Sequence, residues 1–165
     1  MLEGIRALYA YGAWANGRIL DTAERLAPEQ FTSDVAGSGS VRDTLVHTAE
    51  AQARWLERWQ GMPPHEPWEP TAFADVASLR ARWAEVEDAA AAYVSALREP
   101  DLVRVVSYVN QGETLAHPLW QQLLHQANHA TQHRSEAALL LTSLGNSPGG
   151  MDLRLFFDEQ QQTGS

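Results

Sequence analysis

The sequence contains no cysteine and no lysine. The absence of cysteine excludes disulfides, zinc–thiolate sites and thiol nucleophiles, so any bound metal must use nitrogen and oxygen ligands. The absence of lysine excludes Schiff-base chemistry and a phosphate-loop lysine. Reactions that need either side chain are therefore excluded before any motif is considered.

Long hydrophobic runs and a positive charge excess are absent as well. No apolar stretch approaches the ~20 residues that cross a bilayer, and the first residues lack the basic segment and apolar core of a secretory signal. The formal net charge of -9 would repel a phosphate backbone. We expect a cytoplasmic protein that binds neither membranes nor nucleic acid directly. Its 165 residues, 44% of them hydrophobic, suffice for a single domain over residues 1–165.

Helical periodicity appears in four segments that are separated by turn residues, which predicts an all-α four-helix bundle. The predicted helices cover residues 3–26, 41–60, 72–98 and 117–144. Ser40 and Asp43 form a capping signal before the second helix, and Pro118 is expected at the first position of the fourth. Trp55, Trp59 and Trp83 are expected to fill the core or an interface.

The segments that connect the predicted helices contain fewer indications of secondary structure. The segment between the first two helices is predicted to be a loop. The valine-rich residues 102–110 predict a short extended segment or hairpin between helices 3 and 4. After Gly145, a short tail containing Leu153, Leu155, Phe156 and Phe157 is expected to pack on the bundle or on a partner, with a frayed glutamine-rich end.

Histidines in the fourth helix provide the main functional signal. His129 and His133 are four residues apart, so both project to one side of the helix about 6 Å apart and can chelate one divalent metal. Such pairs also arise by chance on polar helix faces. His125 shares the face, but three successive turns span about 12 Å, too far for one ion. We assign His125 to the pocket rather than to the metal.

A catalytic metal normally has three protein ligands and one open position. His47 on the second helix is the best third candidate, because bundles build metal sites from facing helices. The alternative is a solvated histidine, since Glu50 and Arg54 share its face. His65 lies among prolines and His117 precedes one, so both are expected to be structural or exposed.

Two carboxylates follow proposed ligands by one helical turn. Glu50 comes three residues after His47, and Glu136 three after His133; each could orient an imidazole or act as a catalytic base. Arg54 could bind an anionic substrate or pair with Glu50. A di-iron bundle would need two Glu-x-x-His motifs and two further glutamates, whereas this chain has the reverse order, so a mononuclear site fits better.

Three segments together resemble the DinB/YfiT-like metalloprotein superfamily of small four-helix bundles. They are Tyr11–Asn16, Gly39–His47 and Leu124–Arg134, and the resemblance covers nearly the whole chain. It implies that His47, His129 and His133 are the three metal ligands, that water completes the shell, and that zinc or nickel is the usual ion. It also implies a homodimer. This chain reads Ser135-Glu136 where the family pattern usually has Gly-Gln.

The sequence thus predicts a metal-dependent enzyme for a small-molecule substrate. The ion would either lower the pKa of bound water to about 7 or activate a coordinated thiol, as in the thiol-dependent transferases of the family. Because the chain has no thiol, a low-molecular-weight thiol cofactor would supply the thiol.

Two alternative functions stay open. One is a non-catalytic, stress-related bundle that binds metal for structure or storage, or binds none. The other is a dimeric interaction module that would lose assembly on truncation after Pro148.

Overall fold

A computed structural model describes residues 1–163, which form six α-helices and one two-stranded antiparallel sheet. The elements are α1 (Leu2–Ala23), α2 (Pro28–Thr32), α3 (Val41–Gln60), α4 (Val76–Ala96), β1 (Val105–Asn110), β2 (Glu113–Pro118), α5 (Leu119–Ser143) and α6 (Leu153–Thr163). The predicted four-helix bundle with a hairpin before its last long helix is confirmed. None of the described helices combines the length and apolar character needed to cross a membrane.

The four long helices make the bundle. Both α1 and α3 pack against α4 and α5, so α1 and α3 lie on opposite corners. His47 of α3 lies beside His133 of α5, whereas Trp55, further along α3, lies beside the earlier His125. The two helices therefore run antiparallel, and His129 and His133 of α5 face the first half of α3.

Local signals explain the bounds of α3 and α5. The Ser40 hydroxyl accepts a hydrogen bond from the Asp43 backbone N–H at 3.0 Å, and Gly61 ends α3 with a φ of 70°. The predicted span 41–60 is therefore confirmed. The prediction that α5 begins at residue 117 is wrong. His117 and Pro118 pair with the start of β1 in the hairpin, so α5 begins only at Leu119.

Four other sequence predictions are corrected. The first helix ends at Ala23, and the predicted loop contains α2, where Gln30 accepts a hydrogen bond from the Ala27 N–H and Phe31 is buried. The third long helix begins at Val76 rather than residue 72, because Asp75 caps it by accepting the Ser78 N–H. The glutamine-rich end is helical to Thr163 rather than frayed.

The molecule has two large apolar clusters and a smaller third one where the tail meets α1, together with a group of buried polar side chains. Trp83 lies in one cluster and Trp55 and Trp59 in the other, as predicted. A group of buried polar residues, which we call the polar layer, contains Asn16, Gln52, Gln126 and Arg134. Trp83 Nε1 donates to Gln52 Oε1 at 2.8 Å within it. The tail packs on α1 through Phe156, which contacts Tyr11 and Trp14.

Candidate metal centre

Two helices bring His47, His129 and His133 together at the surface of the bundle. One ring nitrogen from each histidine lies within 4.8 Å of the other two. The ring centres of His129 and His133 are 4.4 Å apart, and those of His47 and His133 are 4.6 Å apart. The predicted cluster is therefore present, with two members from α5 and one from α3.

The geometry of the cluster fits a small divalent ion. The Nε2 atoms of His129 and His133 are 3.2 Å apart. In a tetrahedral site with metal–nitrogen distances of about 2.0–2.1 Å, ligand nitrogens are separated by roughly 3.3 Å. Within residues 1–163, no further histidine or carboxylate joins the three. The donor set thus suits zinc-type coordination in which protein ligands fill only three positions.

Two of the three histidines, His47 and His129, favour the neutral form that a metal requires. Partial burial, reinforced by the positive charge that His133 and His47 can carry, lowers the pKa of His129 to about 4. Burial also lowers the pKa of His47, with a smaller effect from His133, while the negative charges of Glu50 and Glu136 act in the opposite direction. At neutral pH, His47 and His129 can therefore coordinate an ion without first losing a proton.

Glu136 orients one of these rings. Its Oε2 lies 2.5 Å from Nδ1 of His133, while Gln132 donates to its other oxygen at 3.2 Å. Although burial acts in the opposite direction, the hydrogen bonds from Gln132 and His133 lower the pKa of Glu136. An ionised carboxylate on Nδ1 keeps the proton there, which leaves Nε2 of His133 as the metal-binding atom.

We expect Glu136→Ala to weaken zinc binding by about 10–100-fold, the usual effect of removing a carboxylate that orients a ligand histidine. Glu136→Gln should lose less, since an amide oxygen can still accept the Nδ1 proton. Competition against a chromophoric chelator measures the affinity. Glu29→Ala, at an exposed position on α2, serves as control. Unchanged affinity in Glu136→Ala would show that His133 needs no orienting partner.

Glu50 and Arg54, the other predicted site residues on α3, pair with each other. Nη2 of Arg54 donates to Oε1 of Glu50. Of the two roles considered for Arg54, the structure therefore shows the salt bridge to Glu50. Glu50 Oε1 also lies 3.9 Å from Nε2 of His65. The charge of Glu50 still affects His47, but the described contacts place no hydrogen bond between the two. A catalytic role for Glu50 or Glu136 stays a prediction.

The remaining histidines differ in their surroundings. His125 is exposed and its ring centre lies 6.0 Å from that of His129, outside the converging nitrogens, as expected from its position one turn earlier. His65 is half-buried, and its Nδ1 lies 2.9 Å from both carboxylate oxygens of Glu57. His117 is exposed on β2.

Beside the histidines lies an open cleft that the sequence did not reveal. We call it the aromatic cleft; it has a volume of about 220 Å³ and is lined by Trp55, Tyr108, His117, Gln121, Gln122 and His125. The hairpin supplies one wall and α3 and α5 the others. Gln122 secures the wall, because its amide nitrogen donates to the carbonyls of Val106 at 2.8 Å and His117 at 3.0 Å. His125 lines the cleft and its ring lies beside that of His129.

A helical bundle with three converging histidines beside a cleft has the architecture of a metal-binding protein. Comparison with known families gives the relationship directly: residues 1–164 match the model of the DinB family. The chain belongs to the DinB family. The match covers almost the entire sequence, in agreement with the resemblance carried by the three sequence segments.

Solved structures agree at the level of the fold. A DinB-like protein from Bacillus cereus superposes with a TM-score of 0.73 over 90% of this chain and 95% of its own, at 17% identity. A conserved protein from Enterococcus faecalis superposes with a TM-score of 0.65 over 82% of this chain and 94% of its own, at 15% identity. No curated protein sequence matches the chain significantly. At these identities the structural likeness supports the fold alone.

Proposed function

We propose that the protein is a metal-dependent enzyme that uses His47, His129 and His133 as a mononuclear site for a small-molecule substrate. The observation that supports this most is the number of ligands, because three protein ligands leave a position open, whereas structural sites are closed by a fourth. His47 is exposed, so the open side of the cluster is accessible from solvent. We propose zinc or nickel as the ion.

The reaction we propose is the transfer of a thiol to an electrophile, with hydrolysis as the second candidate. A bound ion would supply Lewis acidity that favours the deprotonated form of a thiol or of water. In the transfer, the thiol loses its proton, its sulfur forms a bond to the electrophilic carbon, and the leaving group departs with the bonding electrons. The thiol must come from a low-molecular-weight cofactor because the chain contains no cysteine.

Two carboxylates beside the cluster would orient and electrostatically support its histidines. Glu136 holds the His133 ring through Nδ1, and in this proposal that contact keeps the ligand set in place during turnover. Glu50 is engaged by Arg54 and makes no described hydrogen bond to a histidine of the cluster, so we propose that it supports His47 electrostatically. A homodimer, a cytoplasmic location and a role in stress remain predictions from the sequence.

The test compares two reactions in the same protein preparation. Zinc-loaded, nickel-loaded and chelator-treated protein would be incubated with chlorodinitrobenzene and a panel of small thiols, and separately with a nitrophenyl ester. We expect turnover that requires both metal and thiol, and that is lost in His129→Ala. Turnover of the ester alone would favour the hydrolase. The absence of metal-dependent turnover in both reactions would contradict the enzyme proposal.

A further inference from the structure

Arg58 is a half-buried cation that makes no hydrogen bond or ion pair with the described residues. Among the described residues, the only arginines whose side chains make no hydrogen bond or ion pair are Arg25 and Arg58, and Arg25 is exposed. Leaving a cation unpaired costs more when it is partly removed from water. Burial accordingly lowers the pKa of Arg58, and Arg54 adds to this effect while Tyr108 opposes it. An anion bound at Arg58 would offset the cost.

Two aromatic rings position this guanidinium. Its central carbon lies 4.6 Å from the ring centre of Trp55 and 4.6 Å from that of Tyr108. Because these two rings are inclined at 73° to each other, the flat guanidinium lies parallel to at most one of them, with its N–H donors in its own plane. No described residue accepts a hydrogen bond from Arg58, so its N–H donors are available to an added acceptor. The planar edge of a guanidinium, with its paired N–H donors, matches the two oxygens of a carboxylate.

The same two rings form a wall of the aromatic cleft. Trp55 and Tyr108 contact each other with ring centres 5.1 Å apart, and Trp55 also contacts His125. The cleft volume of about 220 Å³ exceeds the roughly 150 Å³ of a protein cavity that accepts benzene. One planar ring with substituents can therefore occupy it. From Trp55, such a ligand would extend past His125 toward His129.

We propose that the aromatic cleft binds an aromatic carboxylate, with its ring against Trp55 and Tyr108 and its carboxylate reaching Arg58, which lies against the same two rings beside the residues that line the cleft. Arg58 lies eleven residues after His47, about three turns along the same face of α3. A ligand held there lies along the approach to the three histidines. The assignment of this ligand class as the substrate class of the enzyme rests on the proposed function, whereas the binding site itself rests on Arg58 and the two rings.

Calorimetric titration of metal-free protein tests the site, because coordination of a carboxylate by metal cannot then contribute. The probes are benzoate, benzyl alcohol as the neutral ring, and acetate as the anion without a ring. We expect benzoate to bind at least about tenfold more tightly than either of the others, the effect of one hydrogen-bonded charge pair. Arg58→Met should reduce benzoate binding to the level of benzyl alcohol and leave benzyl alcohol unchanged.

Two further variants separate a role in recognition from a role in folding. Arg58→Lys keeps the charge but loses the planar edge, so we expect intermediate benzoate affinity. Arg82→Met is the matched control, since Arg82 also stacks on a tryptophan, Trp68, but is paired with Glu85. It should bind benzoate as the wild type does. Equal loss of benzoate and benzyl alcohol in Arg58→Met would overturn the proposal, as would the absence of benzoate binding to wild-type protein.

His129→Ala distinguishes this inference from the proposed function. That variant should bind benzoate normally, because Arg58 and both rings are unchanged. If wild-type protein shows no metal-dependent turnover but Arg58-dependent benzoate binding persists, the anion site stands and the enzyme proposal fails. If turnover depends on metal but benzoate binding does not depend on Arg58, the enzyme proposal stands and this site is wrong.

Discussion

Replacing His129 with alanine is expected to reduce bound zinc from about one ion per chain to a small fraction of that value after dialysis. The same loss is expected for His47→Ala and His133→Ala, because each removes one of the three ring nitrogens that, among residues 1–163, lie within 4.8 Å of one another. Removing an orienting carboxylate already costs about 10–100-fold in affinity, so losing a ligand should cost more than about 100-fold. Elemental analysis and chelator competition measure these quantities.

The control for this prediction comes from the same face of α5. His125→Ala should retain zinc, since the His125 ring lies 6.0 Å from that of His129 and contributes no nitrogen to the cluster. Zinc should also raise the melting temperature of wild-type protein; at a free concentration of 100 times Kd the stabilisation is about 2.7 kcal/mol. The three ligand variants should show no such shift. Wild-type zinc content in all three would mean that the cluster is not the metal site.

Two members of the histidine cluster were predictable from sequence because the information for them is local. His129 and His133 share a helix face by spacing alone, and His47 could be added because bundles join facing helices. The bounds of α3 were predictable for a similar reason, since Ser40 and Gly61 each act on the adjacent helical turn. By contrast, α2 has five residues and is too short to show a periodicity.

The aromatic cleft was not predictable because it depends on contacts between distant parts of the chain. Arg58 meets Tyr108 only because the hairpin folds against α3. The sequence drew attention instead to Arg54, which has a carboxylate one turn away and is paired with it. A helix face reveals which charges can pair along the helix, but an unpaired charge becomes evident only when the neighbouring elements are in place.

The polar layer of the bundle was also missed, and its key residue is Arg134. Only 3% of its surface is exposed. Nη1 donates to Asn16 Oδ1 at 3.2 Å, and Asn16 in turn donates to Glu87 at 2.7 Å. Nη2 donates to the Thr131 hydroxyl at 2.8 Å. Arg134 thus links α5 to α1 and, through Asn16, to α4. Its neighbour His133 belongs to the histidine cluster and lies on a different face of α5.

We expect Arg134→Met to lower the free energy of unfolding by about 2–4 kcal/mol, because it leaves Asn16 Oδ1 without its donor and removes one of the two cations, Arg134 and Arg80, that act on Glu87. Urea denaturation followed by circular dichroism measures the change. Arg25→Met, at an exposed position without a described partner, should stay within about 0.5 kcal/mol of wild type. The metal ligands are untouched, so folded Arg134→Met protein should still bind zinc.

The pH dependence of this variant identifies the cause. Burial raises the pKa of Glu87, opposed by the Asn16 hydrogen bond and by the charge of Arg134. Without Arg134 this pKa should rise further. A carboxyl whose pKa is higher in the folded than in the unfolded state destabilises the fold once ionised, and protonation removes that cost as the pH falls.

The loss in Arg134→Met should therefore be smaller at pH 5 than at pH 7. Adding Glu87→Gln should restore part of the stability at pH 7, by about 1 kcal/mol. A loss that is the same at both pH values and in the double variant would assign the effect to packing alone. In that case Arg134 would stabilise the bundle through its contact with the ring of Tyr11, 5.3 Å away, rather than through charge.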